Sequence, residues 1–370
     1  MAANYLYIAK TKRGEFDALA KTRRSHKDRL LPLFDLSRMG NSLKRFKSQA
    51  DVPRAFIDET VMEIAQVWAG RKALIDSMRW PVNATLKSGE HVLSYFYHRL
   101  TEFGVIATPV LGYDRWDGDQ YREAIQKLEL PANCPVCLRL DSEAINDSAE
   151  PEYFRGRALQ ILEDMQVPPH ECLVLIDFED LAALPLEESI ERGHRVMVAL
   201  VNVGFKQFAT AGCSLPPSID MAVGTTDSAA RVTRREWILW RTLRAAYPQF
   251  SWMYGDYGVR GPRSVDDIIA PHTNGKIRYT IDGEYYVARG HSLQLGNKGA
   301  QMHDLSDAII NSGYFMEAGF SWGDGEIVRC SQQEFRGNSS RWIAIDTNHH
   351  VAWVVQEIAE FLMKAKQAKV

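Results

Sequence analysis

The chain has 370 residues, 45% of them hydrophobic, 25% charged and 10% aromatic, and its 44 Lys and Arg face 47 Asp and Glu for a formal net charge of −3. This composition supplies a large core and excludes a disordered chain, and the near-balanced charge excludes a whole-molecule field that would draw the protein onto polyanions. No apolar stretch reaches the length of a membrane span and the amino terminus lacks a signal-peptide pattern, so the expected setting is cytoplasmic, with no membrane partner.

Short apolar runs rich in Val, Ile and Leu alternate with helix-patterned stretches, the pattern of parallel strands covered by helices. The runs begin near Tyr5 (YLYIAK), Leu30 (LLPLFDL), Ala55 (AFIDE), Val105 (VIATPVLGY), Val136 (VCLRLD), Cys172 (CLVLIDF), Val196 (VMVALVNVG) and Ser251 (SWMYGDYG). Between them lie helical patterns such as GEFDALAK, HVLSYFYHRLTEF and RREWILWRTLRAA, the last with Trp237 and Trp240 on one core-facing stripe. Eight strands alternating with helices predict a closed (β/α)8 TIM-like barrel, a single α/β domain over 1–370. An open doubly wound sheet is the alternative, and no GxGxxG follows the first run to support it.

A basic run, Lys21, Arg23, Arg24, Lys27 and Arg29, reads more readily as the cationic end of a helix than as a nucleic-acid contact. Cys134 and Cys137 form a CPVC without a second ligand pair, so they read as thiols beside a buried strand rather than as a zinc or redox centre. From 259 to 341 the pattern changes to Gly, Asn, Ser and Tyr, with hairpin-like KIRYT and EYYVARG around Asp282-Gly283. This segment is expected as a long insertion between the eighth strand and the last helix, Val351 to Lys366, forming a lid over the carboxyl-terminal face.

In such a barrel the strand interiors fill the core, while the carboxyl ends and following loops build the active face. Reading each run to its end selects Lys10 and Lys12, Asp35, Asp58 with Glu59, Arg139 with Asp141, Asp177, Asn202, and Asp256 with Tyr257. The insertion and last helix add Arg278, Asp324, Asn338, Arg341, His349 and His350. Carboxylates so placed hold a divalent cation or act as acid and base, and Lys and Arg hold an anionic group. The candidate catalytic residues are therefore Asp35, Asp58, Asp177, Asp256 and His349, with Asp35 and Asp177 as metal ligands for Mg or Mn. The candidate substrate ligands are Lys10, Lys12, Arg139, Asn202, Tyr257, Arg278, Asn338 and Arg341. Asp58 and Asp177 equally suit helix caps. His349 and His350 are adjacent at an expected helix start, which offers free amides to phosphate, and their side chains diverge by about 100°, too far to share one metal.

The pieces YLYIAKTKRGEFDAL, LLPLFDL, the EWILW helix before GDYG, IRYT and the ending GNSSRWIAIDTNHH resemble the bacterial and phage beta-protein family over nearly the whole chain. The resemblance implies a component of phage-defence or mobile-element gene neighbourhoods and a nucleotide or nucleic-acid substrate. Two functions are expected. The first is a metal-assisted phosphoester hydrolase, with rim carboxylates on the ion and Lys10, Lys12 and Arg139 on the phosphate. The second is a non-catalytic barrel that binds a nucleotide, nucleic acid or protein as sensor or partner of a separate effector. Tyr254, Tyr257, Tyr279, Tyr285 and Tyr286 would then stack on the ligand. Acids gathered about one point favour a metal; acids each matched to a Lys or Arg favour recognition.

Overall fold

Successive side chains of a strand point to opposite faces, so a closed sheet of apolar runs needs one set of residues to fill its interior and another to meet its helices. The computed structural model, which describes residues 3–40, 45–131, 135–264 and 273–367, has this arrangement. Strands β1 (Tyr5–Ala9), β2 (Leu30–Asp35), β3 (Lys72–Asp76), β4 (Ile106–Gly112), β5 (Cys137–Leu140), β6 (Leu173–Asp180) and β7 (Gln207–Cys213) run parallel in that order. The next strand, β8 (Ser228–Thr233), leaves the barrel, and β9 (Ser251–Asp256) closes it by pairing with both β7 and β1. The fold is thus the expected (β/α)8 barrel.

Helices α1 (Arg13–Lys21) and α2 (Arg24–Lys27) lead into β2, α3 (Val52–Trp68) into β3, α4 (Val92–Glu102) into β4 and α5 (Asp119–Gln126) into β5. Helices α6 (Ser142–Asp147) and α7 (Pro151–Asp164) precede β6, α8 (Leu186–Leu200) precedes β7, α9 (Ile219–Ala222) precedes β8, and α10 (Arg235–Ala246) precedes β9. After β9 come the hairpin β10 (Asn274–Ile281) and β11 (Glu284–Ser292), then α11 (Gln301–Ile310), α12 (Trp322–Ser331) and α13 (Ser339–Gln367). The hairpin turns at Asp282-Gly283, where Gly283 takes a φ of 62° that a side chain would strain, and β8 completes a three-stranded antiparallel sheet against β11.

Three sequence expectations are corrected. The run at Ala55 lies inside α3, because Asp51 caps that helix by accepting from the Arg54 amide and Pro53 sits in its first turn. The third strand is the shorter KALID. The run at Val196 is the end of α8, whose buried Val196, Met197, Ala199 and Leu200 follow helical spacing around an exposed Val198, and the seventh strand begins at Gln207. The last helix begins at Ser339, twelve residues before the expected Val351, so His349 and His350 lie within it and offer no helix amino terminus.

Leu6, Ile8, Leu33, Leu74, Val110, Cys137, Leu173, Leu175 and Ala209 fill the barrel interior. Tyr5, Phe34, Ile75, Leu111, Leu138, Val174 and Phe208 face the helices, where Trp237 and Trp240 pack on Tyr254 and Phe361 as a core stripe. Cys137 is buried in β5, and Cys134 lies outside the described residues. Among the described residues no helix is long and apolar enough to cross a membrane.

Candidate functional site

Strand parity fixes what stands above the last apolar layer. Counting two residues on from Ile8, Leu33, Leu74, Val110, Cys137 and Leu175 reaches Lys10, Asp35, Asp76, Gly112, Arg139 and Asp177, and Gly255 is followed inward by Tyr257. Except for Gly112, these are polar side chains, and they are buried. Charges with so little water must be matched. Arg139 donates from Nη1 to Asp76 Oδ2 at 2.7 Å and from Nη2 to Asp177 Oδ2 at 2.6 Å and Tyr257 Oη at 2.9 Å, and Tyr257 donates to the same Asp177 oxygen at 2.6 Å. Arg115 reaches Asp76 Oδ1 at 2.6 Å. It lies across the end of β4, where a Cβ at Gly112 would collide with its guanidinium. Burial works against the Asp76 charge, yet Arg115 and Arg139 hold its carboxyl below the usual value.

The two sides of the mouth differ in sign. On the β1 side, Lys10 Nζ donates to Gly261 O and Ser264 Oγ, both at 2.6 Å, in the loop after β9. Burial, with Arg260 and Arg79 nearby, brings its ammonium down to about 7. Arg79 pairs with Asp35 Oδ2 at 2.8 Å, while Asp35 Oδ1, enclosed, accepts no hydrogen bond among the described residues. Burial is the main cause of the raised Asp35 carboxyl, with Asp76 adding to it against the pull of Arg79 and Arg139. On the β5–β6 side, burial and Asp114 push Asp141 up to about 6, although its Oδ1 caps α6, and burial with Asp177 raises Glu179.

Of the residues selected from sequence, the structure brings Lys10, Asp35, Arg139, Asp177 and Tyr257 to this mouth, and Lys12 follows as the N-cap residue of α1. Asp58 is on α3, outside the barrel wall, bound by Tyr95 Oη at 2.7 Å and Arg99 Nε at 2.9 Å; Glu59, its neighbour on the helix, pairs with Arg45. Asn202 is exposed in the turn that leads into β7, at the opposite end of the strands. Both displacements follow from the misassigned third and seventh strands.

Asp256 ends β9 but has outward parity: Tyr5 donates to its Oδ1 at 2.6 Å and His350 Nε2 lies 3.0 Å from its Oδ2. Burial opposes the charge of Asp256, but His350 holds its carboxyl low, and burial lowers His350 against the pull of Asp256. The divergence of the two histidines is as expected. His349 turns to Asp324 Oδ2 at 3.0 Å and Thr280 O at 2.8 Å, stacked on Tyr279, away from the mouth. Arg278 pairs with Asp346 at 3.0 Å and donates to Val259 O, fastening the hairpin to the loop that carries Arg260. Asn338 and Arg341 lie at the start of α13, in a groove on the outer surface. Asp256, Arg278 and His349 therefore join separate buried networks and share no cavity with Asp35 and Asp177.

The expected metal pair, Asp35 and Asp177, reaches one layer, but Arg79 and Arg139 occupy an oxygen of each and the Glu179 amide takes Asp177 Oδ1. Among the described residues no group of three or more His, Cys, Asp and Glu is placed to hold a metal ion. Sequence reasoning missed Asp76, Arg79, Arg115 and Arg260. Asp76 ends an apolar run of only three residues after a charged Lys72, and the three arginines lie in loops, where no periodicity marks them.

The family model described as Beta protein matches residues 5–356. No curated protein matches the chain. Among solved structures, a GH18 chitinase from Pseudoalteromonas aurantia is similar at 10% identity, over 57% of this chain and 94% of that one, with a TM-score of 0.36.

Proposed function

The chain belongs to the Beta protein family, and from that premise we propose that its barrel is a recognition module that takes a phosphate-containing ligand of nucleotide type at the mouth. The observation that carries this reading is the juxtaposition of Lys10, Arg79 and Arg260 with an enclosed Asp35 oxygen that no donor among the described residues reaches. A buried acceptor without a partner costs about 1–3 kcal/mol, which a ligand hydroxyl or amine would recover while its phosphate meets the cations. The loop after β9 straps over Lys10 and has to lift for a ligand to arrive.

Pairing of the carboxylates supports recognition over metal-assisted hydrolysis, because an ion at Asp76 or Asp177 would first have to displace a buried guanidinium. The hydrolase reading keeps one support of its own, Asp141, whose carboxyl at about 6 suits proton transfer near neutral pH. In a phage-defence or mobile-element setting, a recognition barrel would report ligand occupancy to a separate effector.

The test is a thermal-shift screen of nucleoside mono-, di- and triphosphates and inorganic phosphate, followed by calorimetry on wild type, Arg260→Ala and Asp35→Asn. A stabilising nucleotide whose affinity falls about tenfold or more in Arg260→Ala is the expected result. No stabilisation by any of them, or equal affinity in all three proteins, overturns the reading, and Mg-dependent product release would restore the hydrolase.

A further inference from the structure

An open cavity of about 430 Å³ lies well outside the barrel mouth, between the exposed face of α1 and the first turns of α12 and α13. Arg13, Lys21 and Arg341 line it with one carboxylate, Asp17, which Arg13 engages at 3.0 Å while its Nη1 lies 3.7 Å from Glu63 outside the lining. Arg341 is held in place by an ion pair with Glu326 and by the face of Phe335, 3.6 Å from its guanidinium carbon. The first turn of α13 contains no acid, so its amide end adds positive potential to the same wall. Trp322, the first residue of α12, presents a partly exposed indole to the cavity.

This combination is chemically specific. Cations alone make a surface for any polyanion, but cations flanking an aromatic face in a space of this size suit a phosphate joined to a planar base. The positive surface also continues beyond the cavity. Exposed Arg23 and Arg24 follow Lys21 after the buried Thr22, and Arg23 donates to Gly319 O just before α12, so the basic strip runs along the edge of the groove. A mononucleotide fills the cavity; only a strand uses the strip.

We propose that the groove formed by α1, α12 and α13 binds single-stranded nucleic acid, with one base on Trp322, its phosphate between Arg13, Lys21 and Arg341, and the next phosphates toward Arg23 and Arg24. This site is independent of the mouth, and its failure leaves the reading of the mouth standing.

The experiment is fluorescence polarisation of a labelled single-stranded oligonucleotide of about a dozen nucleotides with the full chain, at low and moderate salt. Competitors are a nucleoside monophosphate, inorganic phosphate and heparin. Lys21→Glu combined with Arg13→Ser, both on the surface, is expected to weaken binding about tenfold or more and to flatten its salt dependence. Trp322→Leu is expected to weaken it about fivefold or more, and Trp322→Phe to retain most of the affinity because a ring remains to stack on. Circular dichroism melts of each variant separate lost binding from lost folding. Unchanged affinity in the double variant overturns the proposal. So does a silent Trp322→Leu accompanied by full displacement with heparin, which would make the groove a surface for any polyanion. Competition by the monophosphate as strong as by the unlabelled oligonucleotide would restrict the groove to free nucleotides and overturn the assignment to a strand.

Discussion

Arg139 Nη2 lies 2.6 Å from Asp177 Oδ2 at the centre of the barrel mouth, and both side chains are buried. Removing one partner of such a buried pair leaves a charge without compensation, which is more damaging than never having built the pair. Arg139→Met is therefore expected to lower unfolding free energy by about 3–5 kcal/mol in urea, and adding Asp177→Leu to recover part of that loss. If both variants unfold at the wild-type midpoint, the pair does not hold the mouth together.

Lys10 makes the mouth sensitive to pH above neutrality. A lysine in the unfolded chain keeps its proton to about 10.5, whereas burial, with Arg260 and Arg79 nearby, brings Lys10 to about 7 in the folded chain. Between those values the unfolded chain binds the proton and the folded chain does not, so Lys10 makes stability rise with pH across that window and fall as pH drops toward 7. Urea midpoints across the window should climb less steeply in Lys10→Met than in wild type. Anion binding beside Lys10 favours its charged form. Calorimetry slightly above pH 7 in buffers of different ionisation enthalpy should accordingly show proton uptake with the ligand.

His350 acts in the acid direction. Burial holds it below its usual 6.5 against the pull of Asp256, so as pH falls through about 6.5 the unfolded chain takes the proton before the folded one, and stability declines from there. His350→Gln, which keeps a polar side chain between Asp256 and Thr280, should give a shallower decline in thermal midpoint below that pH.

Gly112→Ala places a methyl group where the Arg115 guanidinium crosses the end of β4. Because that guanidinium is fixed by Asp76, the strain should cost about 1–3 kcal/mol, measured by chemical denaturation. Any ligand of the mouth should bind more weakly as well.

Asp58→Ala serves as the contrasting case. Asp58 forms a partly exposed cluster with Arg99 and Tyr95 on the outer helices, so its loss should cost about 1 kcal/mol or less. Ligand affinity, whether at the mouth or in the outer groove, should be unaffected.

The barrel was legible in the sequence because six of its eight strands are apolar runs too short for helices, and reading those runs to their ends reached Lys10, Asp35, Arg139 and Asp177. Where the reading failed, a local signal was outweighed. AFIDE looks like a strand when read alone, but Asp51 and Pro53 just upstream begin a helix that absorbs it. VMVAL is β-branched enough to mislead, and only the exposed Val198 among buried neighbours reveals helical spacing. Asp256 was placed at the correct strand end but on the wrong face, since Gly255 and Tyr257 take the inward positions. Arg139 apart, the arginines that neutralise the mouth, Arg79, Arg115 and Arg260, come from loops, and no pattern in the chain tells which loop arginine turns inward.

The link from Tyr5 through Asp256 to His350 joins residues 345 positions apart in the chain, and this separation bears on how the protein folds. Contacts so distant in sequence pay a large loop-closure entropy and form late. The seam between β1 and β9 is then the last part of the wall to set. A chain truncated before Ser339 would keep the strand pairing of β1 with β9 but leave the Asp256 carboxylate beside that seam without its imidazole.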